Sequence, residues 1–236
     1  MKYSAKNIQK ELRRLADPET AVQSLRFFKT GKGEYGEGDL FLGIRVPVLR
    51  KRAKQYQDLP LAVSGELLKS EYHEERMFAL IVLVEQFKKS GPDQKEAICH
   101  LYLECTQYIN NWDLVDISAA HIVGAFLYKR DRQLLYDLAV SKDLWERRIS
   151  IISTFNFIRH NEFGDALIIS KILLKDKEDL IHKAVGWMLR EIGKRDLKTE
   201  EAFLKKYYKK MPRTMLRYAI EKFDEEKRKN YLLGRI

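Results

Sequence analysis

The chain has 236 residues, of which 45% are hydrophobic and 33% are charged, a balance typical of a folded domain and not of a disordered chain. No apolar run reaches the roughly 18–20 residues that a membrane-spanning helix needs. The first residues lead into a polar helical pattern without the apolar core of a signal peptide, so we expect a soluble cytoplasmic protein with no membrane partner.

The net charge of +10 is unevenly distributed along the chain. Residues 1–140 hold 21 Lys and Arg against 19 Asp and Glu, whereas residues 141–236 hold 23 against 15. A basic field of this size favours a polyanionic partner, most simply nucleic acid, with a generic basic surface as the alternative.

The sequence indicates helices almost throughout, because only 12 Gly and 5 Pro occur and no alternating strand pattern stands out. The exception is the stretch at residues 30–39, where four glycines in ten residues predict a loop between two early helices. This loop lacks both the GK[ST] ending and the preceding strand that a phosphate-binding loop requires.

Five segments of the chain resemble one another and recur at a nearly constant spacing. The steps between their equivalent positions are 38, 34, 35 and 32 residues, and each segment is followed by a polar turn and a second helical pattern. A period of about 35 residues with two helices per unit predicts an all-α, HEAT- or armadillo-like solenoid, a single domain over residues 1–236 with a concave basic groove. An irregular helical bundle is the alternative. The equivalent positions are Arg76, Leu114, Arg148, Lys183 and Met215.

The two cysteines, Cys99 and Cys105, lie among apolar residues, so we expect reduced thiols in the core. His100 lies between them, but no fourth ligand is placed to complete a zinc site. The sequence therefore predicts no metal centre.

All three tryptophans of the chain fall in consecutive repeats, each with a charged residue at helical spacing. Because equivalent helices of a solenoid line one surface, we expect these pairs to lie side by side on the lining helices. The alternative is that the tryptophans fill the core between helices, which applies most to the second of them. The pairs are Trp112 with Asp116, Trp145 with Arg148, and Trp187 with Arg190.

Asp116 is a carboxylate inside an apolar run of a basic protein, which calls for a chemical explanation. Asp113 lies in the first turn of the helix that Trp112 opens and can favour the helix dipole or cap amides, but Asp116 lies too far in for capping. Since an unpaired buried carboxylate is costly, Asp116 needs a cationic partner, and Arg148 of the next repeat is the structural candidate. The functional alternative is a cation that develops on a substrate, as on the oxocarbenium-like sugar formed when a glycosidic bond breaks.

Three separated tryptophan motifs resemble the AlkD family of alkylpurine DNA glycosylases, and the similarity runs over roughly residues 20–225. Two shorter stretches resemble family members as well. The resemblance implies a helical solenoid that cups duplex DNA and excises positively charged N3- and N7-alkylated purines without a metal or organic cofactor. The matching segments are Trp112 to Asp116, Trp145 to Arg148, Lys183 to Glu191, Phe41 to Pro47, and Met211 to Thr214.

The resemblance also implies roles for individual residues. Asp116 would be the catalytic carboxylate that faces the lesion deoxyribose, and Trp112 and Trp187 would pack against the sugar-phosphate backbone around it. Arg148 would hold a phosphate or organise Asp116. The further residues expected at the DNA are Phe27, Arg50 and Arg190. Arg213, in the basic, aromatic-rich stretch near the C-terminus, is expected there as well, with a solvated face as the alternative.

The chain departs from the family pattern at three places. Phe27 occupies a position where the family can carry a tyrosine, and Asp179 and Leu180 stand where it can place aromatic residues. The loop from Gly31 to Asp39 is longer than in some relatives. These departures bear on lesion preference and turnover and leave the reaction type intact.

The sequence therefore predicts a monomeric, nucleoid-associated DNA glycosylase of base excision repair that acts on alkylated duplex DNA. A non-catalytic HEAT-like protein that recognises bent, branched or damaged DNA is the first alternative. Asp116 argues against it, because phosphate binding gains nothing from a carboxylate in the groove. A protein-binding scaffold is the second alternative, and the basic C-terminal segment argues against that one.

Overall fold

The computed structural model describes residues 3–236, and within this range the backbone forms helices joined by turns and loops. The one extended pairing in that part of the chain is an isolated parallel bridge between Leu40 and Tyr72. The prediction of an all-α helical-repeat fold is confirmed. None of the described helices is long and apolar enough to cross a membrane.

The chain divides into two compact units, the first ending at Ile122 and the second beginning at Val123. The prediction of a single domain over residues 1–236 stays a prediction. The helices of the first unit are α1 (Ala5–Arg13), α2 (Pro18–Phe27), α3 (Val46–Ala53), α4 (Leu61–Leu68), α5 (His73–Lys89), α6 (Pro92–Glu104) and α7 (Trp112–Ser118).

The second unit follows a π-helical turn at Ala120–Gly124, where the chain passes from one unit to the next. Its helices are α8 (Ala125–Leu127), α9 (Gln133–Ala139), α10 (Leu144–Arg159), α11 (Gly164–Ile172), α12 (Asp179–Gly193), α13 (Leu197–Tyr207), α14 (Arg213–Ala219) and α15 (Glu225–Leu232).

The five similar segments of the sequence begin or lie within α5, α7, α10, α12 and α14. In the first unit α5 packs against α7, and in the second unit α10 packs against α12, which packs in turn against α14. The predicted polar turns precede the second helices α6, α9, α11 and α13. Each period of about 35 residues in the sequence therefore corresponds to one pair of helices in the structure.

Side chains at the helix starts explain where several of these helices begin. Asp17 accepts two backbone N–H groups of α2, whose first residue is Pro18, and Asp196 accepts the N–H of Thr199 in α13. Each such cap stabilises the fold by about 1 kcal/mol.

The core of the first unit is organised around α5, which is buried on nearly all sides from Met77 to Val84. Cys99 and Cys105 are buried thiols that are not joined in a disulfide, as predicted from their apolar neighbours. Burial raises the pKa of the Cys105 thiol, which keeps it in its protonated form.

Candidate functional site

Helix α7 begins at Trp112 and carries Asp116 one turn later. Asn111 caps this helix, since its side-chain oxygen accepts the N–H of Trp112 at 2.8 Å. Asp116 lies four residues after Trp112 on the same face and is half-buried, so the carboxylate is not sealed in the core. Burial raises the pKa of the neighbouring Tyr102, and the charge of Asp116 adds to that rise.

Trp112 belongs to a cluster of rings, here called the aromatic cluster, formed by Phe27, Phe28, Phe41, His73 and Trp112. Phe28 stacks on Trp112 at 5.6 Å and on Phe41 at 5.1 Å between ring centroids, and Phe27 meets Trp112 edge-on at 5.9 Å. Phe41 stacks in turn on His73 at 4.8 Å. Phe27 is 65% exposed, so the cluster presents an aromatic edge to solvent beside Trp112.

A buried group of charges lies beneath the aromatic cluster. The Nε2 atom of His73 lies 2.9 Å from Asp113, and its Nδ1 atom lies 3.6 Å from Asp39, within ion-pair range but too long for a hydrogen bond. Arg76 donates to the other oxygen of Asp39 at 2.6 Å. Asn111 donates to Asp39 at 3.4 Å, which connects the charges to the cap of α7.

Electrostatics keep His73 charged in spite of its burial. Desolvation opposes the imidazolium, but the carboxylates of Asp113 and Asp39 outweigh it and raise the pKa of His73 to about 9. Burial likewise opposes the charged form of Asp39, but His73 and Arg76 lower the pKa of Asp39 below its usual value. At neutral pH the group therefore holds two cations and two carboxylates.

A pH-dependent contribution to stability follows from the charge on His73. Its pKa rises from 6.5 in the unfolded chain to about 9, so the contribution is complete below pH 6.5 and is lost as the pH rises to 9. We expect the free energy of unfolding to fall by about 2 to 3 kcal/mol more in the wild type than in His73→Gln over this interval.

Urea unfolding at several pH values checks this expectation. Glu200, whose burial raises its pKa to about 8, also lowers stability as the pH rises, but it is present in both proteins and cancels in the comparison. His100→Gln, at an exposed histidine of α6, serves as the control and should keep the wild-type slope. Equal slopes for the wild type and His73→Gln would contradict a charged His73.

The Phe41 end of the aromatic cluster is fixed by a buried carboxylate. Glu74 accepts the backbone N–H groups of residues 42–44 at 2.8, 2.7 and 3.2 Å. Gly43 has φ of +78°, and a Cβ there would lie 2.1 Å from the carbonyl oxygen of Asp17. Only glycine fits this close approach. The backbone directly after Phe41 is therefore fixed by this contact and by the hydrogen bonds to Glu74, and it holds the Phe41 ring in place.

In the second unit, α10 carries Arg148 and Trp145. Arg148 is buried and donates a hydrogen bond to the carbonyl oxygen of Leu180, which joins α10 to the first turn of α12. Trp145 is also buried, which agrees with the alternative that it fills the core between helices.

Trp187 lies half-buried on α12, and its indole N–H donates to Glu191 at 3.2 Å. Its ring packs at 5.8 Å from Phe155 of α10, whose face is covered by the guanidinium of Arg159 at 4.7 Å. The second unit therefore has its own partly exposed aromatic surface with a cation beside it.

The other residues predicted to bind DNA differ in their surroundings. Arg50 is exposed on α3. Arg190 forms an ion pair with Glu221, and Arg213 donates to the carbonyl oxygen of Leu232 at 2.7 Å. Two of the predicted phosphate ligands thus already bind acceptors within the protein.

The structure brings Phe27 and Trp112 into contact in the first unit, whereas Arg148 and Trp187 lie in the second. Reasoning from the sequence missed the charges beneath Trp112, although a polar run, His73 to Arg76, opens an otherwise apolar helix. Within residues 3–236 no group of three or more His, Cys, Asp or Glu side chains is arranged to hold a metal ion.

Comparison with known proteins gives matches that span most of the chain. A family model described as DNA alkylation repair enzyme matches residues 8–223. A solved structure described as a predicted DNA alkylation repair enzyme from Enterococcus faecalis has a TM-score of 0.69 at 17% identity, covering 89% of this chain and 97% of that one. At that identity the likeness shows the fold alone. No curated protein matches the chain.

Proposed function

Because the chain belongs to the DNA alkylation repair enzyme family, we propose that it is a DNA glycosylase of base excision repair. Its substrates are N3- and N7-alkylated purines in duplex DNA, and the bond that it hydrolyses is the N-glycosidic bond. The observation that carries the proposal is the half-buried Asp116, one turn after a tryptophan in a partly exposed aromatic cluster.

The reaction needs little acid catalysis, because alkylation at N3 or N7 places a positive charge on the base and makes it a good leaving group. When the C1′–N bond breaks, its electron pair neutralises the purine, and an oxocarbenium-like cation develops on the deoxyribose. The carboxylate of Asp116 stabilises that cation, as carboxylates do in glycoside hydrolysis. Water then adds to C1′ and loses a proton, for which Asp116 is a suitable acceptor.

The remaining residues bind the DNA around the lesion. Trp112 and Trp187 pack against the sugar-phosphate backbone, and the exposed ring of Phe27 widens the first of these surfaces. The role proposed for Arg148 is a phosphate contact made beside its hydrogen bond to the carbonyl oxygen of Leu180. The exposed guanidinium of Arg50 is suited to a phosphate contact, and the net charge of +10 favours duplex DNA generally.

Two further arginines are proposed to contact phosphates, and such contacts weaken as the salt concentration rises. Arg190 can contact a phosphate once it leaves Glu221, and Arg213 can do so beside its bond to Leu232. We propose that the protein acts as a monomer, because a helical-repeat protein that wraps DNA needs no partner subunit. We place it in the cytoplasm, at the nucleoid, because duplex DNA is its proposed partner.

Release of modified bases from methylated duplex DNA tests the proposal directly. We expect 7-methylguanine or 3-methyladenine in the soluble fraction, identified by mass spectrometry, and an equal number of abasic sites in the DNA. Unmethylated duplex is the control and should release nothing. Binding that weakens with salt but releases no base would favour the non-catalytic DNA-binding alternative instead.

A further inference from the structure

Both neighbours of Trp112 in the sequence are tied to the same buried group of charges. Asn111, before it, donates to Asp39, and Asp113, after it, lies 2.9 Å from the imidazole of His73. Asp39 also faces His73, at 3.6 Å. The backbone on either side of the tryptophan is therefore held through His73 and its carboxylates.

The rings connect Trp112 to His73 by a second route. Phe28 lies 5.6 Å from the Trp112 ring and 4.9 Å from the His73 ring. Phe41 lies 4.8 Å from His73 on a nearly parallel plane. A cation that lies against aromatic rings is stabilised by them, so the charge on His73 also favours this arrangement of rings.

The charged groups that face His73 come from three different parts of the first unit. They are Asp113 at the start of α7, Asp39 at the end of the loop before α3, and Arg76 on α5 itself. With His73 charged the group is neutral in sum. Without that charge, two carboxylates would share one arginine in the interior, and the elements that carry them would separate.

We propose that His73 is a positioning residue for base excision, which fixes the start of α7 and with it the ring of Trp112 and the carboxylate of Asp116. The inference rests on the proposed glycosylase activity. His73 itself is buried and touches no substrate. It acts through Asp113 and through the rings of Phe28 and Phe41.

His73→Gln tests the inference, because glutamine can still donate to Asp113 but has neither the ring nor the charge. We expect the single-turnover rate of base release to fall about 10- to 100-fold, since displacement of a reacting group by about 1 Å has effects of this size. The dissociation constant for methylated duplex should change less than the rate does, because Trp112 is only one of the proposed DNA contacts and the basic residues elsewhere are untouched. His100→Gln is the matched control and should change neither quantity.

A spectroscopic measurement separates positioning from a general loss of structure. The chain has three tryptophans, and their indole N–H signals can be assigned by single Trp→Phe variants in ¹H–¹⁵N spectra. In the wild type we expect the Trp112 signal to shift as the pH passes about 9, whereas the signals of Trp145 and Trp187 stay in place. In His73→Gln this shift should be absent.

The outcomes distinguish the inference from the function on which it rests. A wild type that releases no base removes the proposed function and this inference together. A wild type that releases base while His73→Gln is equally fast, with an unchanged Trp112 signal, overturns the inference alone. Should His73→Gln fail to fold, Asp113→Asn replaces it, and an unchanged rate in that variant overturns the inference as well.

Discussion

Asp116→Asn is expected to lower the single-turnover rate of alkylated-base release by about 100- to 1,000-fold, the usual effect of removing one electrostatic stabiliser of a transition state. Asparagine keeps the size and position of the side chain on α7 but carries no charge. The oxocarbenium-like sugar then loses its counter-charge. Duplex binding should be retained or slightly tighter, because a negative charge near the phosphates has been removed.

The measurement is quantification of released base under single-turnover conditions, beside a binding titration with the same duplex. Asp58→Asn makes the same chemical change at an exposed aspartate before α4, and it should alter neither result. An Asp116→Asn variant that excises as fast as the wild type would show that the carboxylate has another purpose, such as an ion pair within the protein. Loss of both binding and excision would instead point to a role in holding the fold.

Much of the fold could be predicted from the sequence, because each repeat buries its apolar face against its neighbours and so repeats its pattern. The five segments anchored at Arg76, Leu114, Arg148, Lys183 and Met215 lie on helices, and those within a unit pack in order. The start of α7 at Trp112 was also predicted, and the structure shows why the helix begins there: Asn111, a favoured capping residue, accepts the N–H of Trp112.

The interior of the candidate site could not be predicted in the same way. His73 pairs with Asp113 across 40 residues of sequence, and Arg76 pairs with Asp39 across 37. Such pairs leave no periodic pattern, because one partner sits at the end of a loop or in the first turn of a helix. The clue in the sequence was a run of charged residues at the head of α5, a helix otherwise too apolar to face solvent.

Partners that lie far apart in the sequence also limit predictions about basic residues. Arg190 was expected at a phosphate from the family resemblance, and Arg213 from its place in a basic, aromatic-rich stretch. In the structure Arg190 pairs with Glu221, 31 residues later, and Arg213 donates to the backbone carbonyl of Leu232. Whether an arginine is available for a phosphate depends on a neighbour that only the folded chain supplies.

Gly43→Ala is expected to destabilise the protein by about 3 to 4 kcal/mol, from about 1 to 2 kcal/mol for a left-handed alanine and the rest from displaced backbone. The added Cβ would lie 2.1 Å from the carbonyl oxygen of Asp17 and 2.6 Å from the nitrogen of Ala21, both at the start of α2. Backbone cannot rotate away as a side chain can. The segment after Phe41 must move, and the hydrogen bonds to Glu74 stretch with it.

Gly33→Ala isolates the contribution of this contact. Gly33 has φ of +79°, almost the value of +78° at Gly43, but none of the described atoms lies within 4 Å of the Cβ position. Its substitution should therefore cost only the conformational part, about 1 kcal/mol. Urea unfolding of the two variants measures the difference, and base release should fall in Gly43→Ala alone, because only that change displaces Phe41. Equal stability of the two variants would mean that α2 moves without a measurable loss of stability. The position of Phe41 in the aromatic cluster would then depend on the Glu74 hydrogen bonds and not on the contact with α2.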